Sequence, residues 1–224
     1  MVKNIVIVGS SSEISKAFYK VAIEKKLNIY KISSIETGNN VLKVENYAHD
    51  IGKIINFIEI LDNPIVIFFN GYLKENRIKQ FPDIDEIYET VNINFLVPYT
   101  IALKLQENKK YEKLIFISSI SALKPRFKNY IYGLSKMNLE HALKYLDFKK
   151  TLIIRFGLVK TNMSIGHIVP PFANLPIEAA QIIFKNINKN GIIYSSFGER
   201  TLAFCIKYLP IRFINYLESQ KFGK

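Results

Sequence analysis

The chain has 224 residues, 49% of them apolar, enough for one globular domain with a sizeable core. Its formal charge is +12, but the lysines are spread along the whole length and form no dense basic block, which speaks against a nucleic-acid-binding module. A single cysteine, Cys205, excludes an internal disulfide, and the three histidines show no metal-ligand spacing.

Apolar runs at 4–8, 27–32, 41–44, 64–69, 113–118, 151–156 and 191–195 read as strands. Several are continuous rather than alternating, as expected of strands covered on both faces. Stretches with helical spacing lie between most of them, at 13–26, 50–62, 82–108, 130–149 and 176–189. This alternation predicts an α/β fold: one doubly wound parallel sheet of about seven strands with helices on both faces, in a single domain over residues 1–224. The N-terminus enters the first strand without a signal-peptide pattern, and no apolar run approaches the ~18 residues a spanning helix needs, so the expected location is cytoplasmic.

In such a sheet, ligands sit beyond the carboxyl ends of the strands, so the residues just after each strand matter most. After the first strand comes Gly9-Ser10-Ser11-Ser12-Glu13-Ile14-Ser15. Gly9 permits a tight turn, the next helix offers free N–H groups to an anion, and Ser10 with Glu13 fits an S-x-x-E capping box. A plain capped turn and a phosphate loop both remain open. Further along, Tyr132 and Lys136 are four apart at the start of a helical pattern and so share one face. A phenol titrates near pH ~10, and working near neutrality needs a shift of roughly three units, about 4 kcal/mol, toward which a neighbouring ammonium contributes. Ser119 ends the preceding strand-like run, at the same sheet edge.

These motifs together resemble the short-chain dehydrogenase/reductase family over most of the chain. Gly9 to Ser15 corresponds to the family's glycine loop, with Glu13 and Ser15 in place of glycines. Asp50 matches the acid after the third strand, and Asn70-Gly71 an eroded N-N-A-G. Asn94 matches the helix asparagine, with Asn92 as its close rival. Ser119 and Y-x-x-x-K (Tyr132, Lys136) match the catalytic set, and Phe156-Gly157-Leu158-Val159-Lys160-Thr161 the P-G-x-V-x-T stretch. The resemblance implies a Rossmann-type domain and hydride transfer between a nicotinamide and a carbonyl or alcohol carbon. It assigns catalysis to Asn94, Ser119, Tyr132 and Lys136. It assigns cofactor binding to Gly9, Ser10, Ser11, Ser12, Ile14, Ser33, Asp50, Ile51, Asn70, Gly71, Gly157, Val159 and Thr161, with Tyr132 and Lys136, and it requires no metal.

The second strand ends in Ser33 and Ser34 with Lys31 close by and no acid before Glu36, which favours NADP(H) over NAD(H). Residues 163–176 are expected to form a short apolar lid. The tail 196–224 mixes aromatics with Lys and Arg, and reads either as packing on the domain or a partner subunit, or as contact with the inner membrane face. The serine-rich loop, Arg200-Thr201 and this tail are similar to the branch of the family that reduces a keto-pentose on a polyprenyl phosphate. That likeness implies a sugar carbonyl, lipid-linked, and a place in polysaccharide biosynthesis. The family also implies a homodimer or homotetramer built on the long helices after strands four and five. A sugar-nucleotide epimerase or dehydratase is one alternative, disfavoured by the roughly sixty residues after Thr161. A non-catalytic dinucleotide sensor is the other.

Overall fold

The computed structural model describes residues 3–74, 82–126, 129–165, 169–170 and 173–222. Seven strands form one sheet: β1 (Asn4–Val8), β2 (Asn28–Ser33), β3 (Val41–Lys43), β4 (Ile65–Phe68), β5 (Lys113–Ser119), β6 (Thr151–Phe156) and β7 (Gly191–Tyr194). Every pairing is parallel, in the order β3-β2-β1-β4-β5-β6-β7. Among the described residues eight α-helices accompany them: α1 (Glu13–Glu24), α2 (Ile51–Glu59), α3 (Ile84–Val91), α4 (Val97–Asn108), α5 (Tyr130–Ala142), α6 (Pro176–Asn186), α7 (Phe197–Tyr208) and α8 (Ile211–Phe222).

The central strands are apolar throughout because both of their faces are covered. Successive side chains of a strand point to opposite faces. Val6 and Val8 therefore join one core with Ile54, Ile58, Ile101, Leu105 and Leu139, from α2, α4 and α5. Ile5 and Ile7 join the other with Phe18, Ala22, Ala179 and Ile183, from α1 and α6. Phe68 and Phe116 stack 4.6 Å apart across β4 and β5. The strand order reverses between β1 and β4, which opens the crevice at their carboxyl ends.

Three local expectations change. The α1 N-cap is Ser12, whose side chain accepts from Ser15 N, so Ser10 and Glu13 form no capping box. The helical reading of 82–108 holds, but α3 and α4 are joined by a π-helical turn at Asn92–Leu96. The reading of 130–149 as one helix fails at its end. α5 stops at Ala142, a 3-10 turn follows, and Leu146 and Asp147 are extended, Asp147 capping a further short turn with its side chain. The tail folds as α7 and α8, with Glu199, Ala203 and Ile214 buried.

Candidate active site

The crevice begins at Gly9. Its φ is +83°, and a Cβ there would lie 3.0 Å from the Asn70 backbone nitrogen, so only glycine lets the turns after β1 and β4 approach this closely. Gly9 N and Ser10 N both donate to the Ile32 carbonyl, at 3.1 and 3.2 Å. Ser15, standing where a glycine was expected, is buried and staples the loop: its hydroxyl donates to the Ser10 and Ser12 carbonyls, both at 2.7 Å. Glu13 bridges away from the helix and accepts from Asn162 N at 2.6 Å. Ser11 is half-buried, and Ile14 packs against the α1/α6 core.

At the end of β2, the buried Ser33 hydroxyl accepts from Ile35 N and Glu36 N, a turn that brings the chain back over the first loop. Glu36 therefore accepts from the Ser10 hydroxyl and from Lys31 Nζ, each at 2.9 Å. Burial alone would raise the Glu36 carboxyl, but Lys31 and Ser10 outweigh it and hold the group below its ordinary value. Sequence reasoning saw Glu36 only as distant. Its signal was the serine three residues upstream.

Asp50 occupies the α2 N-cap position without capping it. Its oxygens accept from Glu45 N and Asn46 N and pair with Lys53 at 2.7 Å, which fastens the loop after β3 rather than presenting a carboxylate to the crevice. Ile51 packs against the α2/α4 core.

After β4, Asn70 and Gly71 enter the crevice floor. Asn94 is fully buried, within the π-helical turn, and spends its amide on Tyr72: Tyr72 N donates to Oδ1 and Nδ2 donates to the Tyr72 carbonyl, both at 2.8 Å. The rival Asn92 is only half-buried. Asn94 thus acts as the clamp of the β4 loop.

The expected trio meets at the ends of β4 and β5. Ser119 is buried, its hydroxyl accepts from Ser121 N at 3.2 Å, and it is hydrogen-bonded to the Tyr132 phenol. Lys136 is buried, and its Nζ donates to the carbonyls of Asn70 and Ile117, at 3.2 and 3.1 Å. Helix α5 reaches this position because Gly133 lets it touch the preceding loop: a Cβ there would lie 3.0 Å from Pro125 Cα and from the Ser121 carbonyl. Burial pushes the phenol up to about 12, and the Ser119 hydrogen bond pulls the other way. Burial pushes the ammonium down to about 8, countered by the charge of Glu140. The phenol is therefore raised, not lowered as the Tyr/Lys spacing suggests, because burial outweighs the Ser119 hydrogen bond. Two buried amide oxygens, Asn70 Oδ1 and Asn129 Oδ1, have no partner among the described residues. Asn129 and Tyr132 line one cleft together with Lys74, Glu86, Thr90 and Ile131.

The loop after β6 closes the far side. Gly157 packs on Glu199, a nearly fully buried acid from α7. Glu199 accepts from Gly157 N, the Ser195 hydroxyl and Asn174 Nδ2. Burial raises its carboxyl. Val159 bridges Asn174. Thr161 N donates to Ser164 Oγ at 3.0 Å, and the residue heads a short 3-10 turn. Of the expected lid, residues 166–168 and 171–172, with His167, lie outside the described residues. Glu199 and Glu140 carry no motif because each is a lone acid in a helix, and Arg155, the partner of Glu140, is a lone base inside an apolar strand run.

No family model matches the sequence, and no curated protein does. The fold has many counterparts among solved structures. A short-chain dehydrogenase from Burkholderia cenocepacia in complex with NADP has a TM-score of 0.73 at 13% identity, covering 99% of this chain and 98% of that one. ElxO with NADP bound has a TM-score of 0.67 at 17% identity, over 90% and 100%. A 4-hydroxyisoleucine dehydrogenase complexed with NADH has a TM-score of 0.64 at 20% identity, over 87% and 98%. These likenesses establish the architecture: a single parallel seven-stranded Rossmann-type sheet with helices on both sides.

Proposed function

We propose that the protein is an NAD(P)-dependent oxidoreductase of the short-chain type, interconverting a carbonyl and an alcohol. The observation that carries this reading is the hydrogen-bonded Ser119–Tyr132 pair beside the buried Lys136 ammonium, at the crevice where the strand order reverses. The residues fit a dinucleotide. Gly9 allows the tight turn that joins the loops after β1 and β4 at the crevice floor, the first turn of α1 directs N–H groups toward a pyrophosphate, and Asn70 Oδ1 is buried without a partner among the described residues. The solved neighbours named above with NADP or NADH bound support the same choice.

When bound, the nicotinamide supplies or accepts the hydride. Tyr132 gives its proton to the carbonyl oxygen in reduction and takes it back in oxidation. Ser119 donates a hydrogen bond to the same oxygen as charge develops on it. Lys136 would hold the ribose hydroxyls of the bound dinucleotide, and its ammonium puts a positive charge near the phenol. Asn94 fixes the loop after β4, which lines the crevice. NADP(H) is preferred over NAD(H) on the strength of Lys31 beside Ser10, with Glu36 as the opposing charge. The substrate is a sugar carbonyl, in its fuller form lipid-linked. The tail supports that form: α7 exposes Phe197, Phe204 and Tyr208 beside Arg200 and Lys207, a face suited to an anionic membrane surface. Assembly is a homodimer or homotetramer through α4 and α5, which light scattering reads directly.

The deciding experiment is Tyr132→Phe assayed with NADPH and a panel of keto-sugars and simple ketones. Turnover should fall at least 10²-fold while NADPH affinity, read by fluorescence, stays within about threefold. Wild-type rates in the variant would remove the mechanism. Binding without turnover in the wild type would favour a dinucleotide sensor.

A further inference from the structure

Behind the catalytic trio lies a charged group that the roles above leave unused. Glu140 sits one helical turn beyond Lys136, on the same face of α5, and is only 3% exposed. Its Oε1 accepts from the Ser118 hydroxyl at 2.6 Å. Both of its oxygens accept from Arg155 Nε, at 3.1 Å each, and Arg155 Nη1 donates to the Tyr194 hydroxyl at 2.7 Å. One carboxylate thus ties α5 to β5, β6 and β7, and its β5 partner adjoins Ser119.

Lys136 makes the need for such a group plain. It is equally buried, and its hydrogen-bond partners are two neutral carbonyls. An ammonium in that setting sheds its proton unless a carboxylate field opposes the cost of burial. Among the described residues the charge that acts on it is that of Glu140, and these are the groups around the pair. Tyr132 and Glu140 come from its own helix. Ser118 and Ser119 come from β5, Asn70 from the β4 end, Arg155 from β6 and, behind Arg155, Tyr194 from β7. Tyr132 is neutral at physiological pH. Glu140 therefore brings the negative charge of this group, and Arg155 the competing positive one.

We propose that Glu140 and Arg155 form a balanced counter-charge that holds the Lys136 ammonium charged inside the fold, which makes Glu140 a positioning residue for the reaction. The catalytic consequence rests on the oxidoreductase reading; the charge balance itself does not. The two members act in opposite senses. Glu140→Gln keeps the shape but leaves two buried cations together. Arg155→Met leaves the carboxylate to Lys136 alone.

The test is a pH titration of Lys136 by NMR in the whole protein carrying ¹³Cε-lysine, the signal assigned by its loss in Lys136→Met. Glu140→Gln should lower the midpoint by a pH unit or more, Arg155→Met should raise it, and the double variant should fall between. Turnover against pH should show its alkaline limb moving in the same directions, which a merely structural brace would not produce. Midpoints that stay fixed, or move together, overturn the proposal. Should Glu140→Gln not fold, Arg155→Met decides alone, and an unmoved or lowered midpoint overturns the proposal. Midpoints that move as stated in a protein without turnover would sink the oxidoreductase reading and leave the charge balance standing.

Discussion

At the scale of single residues, the crevice is notable for acids that occupy its donors. Glu36 takes the Ser10 hydroxyl and Lys31, and Glu13 takes Asn162 N. A ligand phosphate at Ser10 must displace a carboxylate that its ion pair holds in place. Glu36→Gln removes the competing charge but keeps the side chain's size. NADPH should bind the variant about tenfold more tightly, as expected when one charge-assisted contact is freed, while NADH affinity stays level or falls. Fluorescence titration with both dinucleotides checks this, and equal gains for the two would show that Glu36 does not face the extra phosphate.

At the scale of elements, the position of α5 decides the chemistry, and Gly133 decides the position of α5. A methyl at Gly133 would press on Pro125 Cα and the Ser121 carbonyl, both parts of a backbone that cannot swing aside. Gly133→Ala should cost about 1–3 kcal/mol in thermal unfolding and lower turnover by moving Tyr132. Gly52, in the first turn of α2 with nothing within 4 Å of its missing Cβ, is the control: Gly52→Ala should gain up to about 1 kcal/mol. The elements themselves were legible in the sequence. Runs such as NIVIV and KLIFIS declare buried strands, and the residues following them are the ones that converge: Gly9, Asn70, Ser119, Tyr132 and Lys136. What was not legible is long-range pairing. Nothing local in Glu199 says that it will meet Gly157, and nothing in Asp50 says that Lys53 and two backbone amides will claim it. The helix spacing of 82–108 likewise hid the π-helical turn, because a single wide turn barely disturbs the apolar periodicity.

For the whole molecule, burying Lys136 is a cost drawn from global stability. Its folded value of about 8 lies below the ordinary lysine value of 10.5, so the unfolded chain binds more protons between those pH values. Stability therefore rises with pH across that window as the buried ammonium discharges. Between pH 7 and 9.5 the gain from this group is about 2 kcal/mol, and Lys136→Met should lose it, read as a flatter pH dependence of denaturant midpoints than the wild type shows. A wild-type curve that stays as flat as the variant's would mean that Lys136 keeps its proton throughout. The order of the sheet explains why one residue carries such weight: Lys136 bonds the carbonyls following β4 and near the end of β5, so its charge sits where neighbouring strands are joined.

The wide turn at Asn92–Leu96 has a mechanical corollary. It spends one residue more than an α-helix would, so α3 enters α4 rotated by roughly 100° from where an unbroken helix would set it. That rotary offset is what aims the Asn94 amide at Tyr72. Deleting Ile93 alone would restore an ordinary screw, swing the amide aside and unlatch the loop after β4, with both partners of the latch still present in the chain.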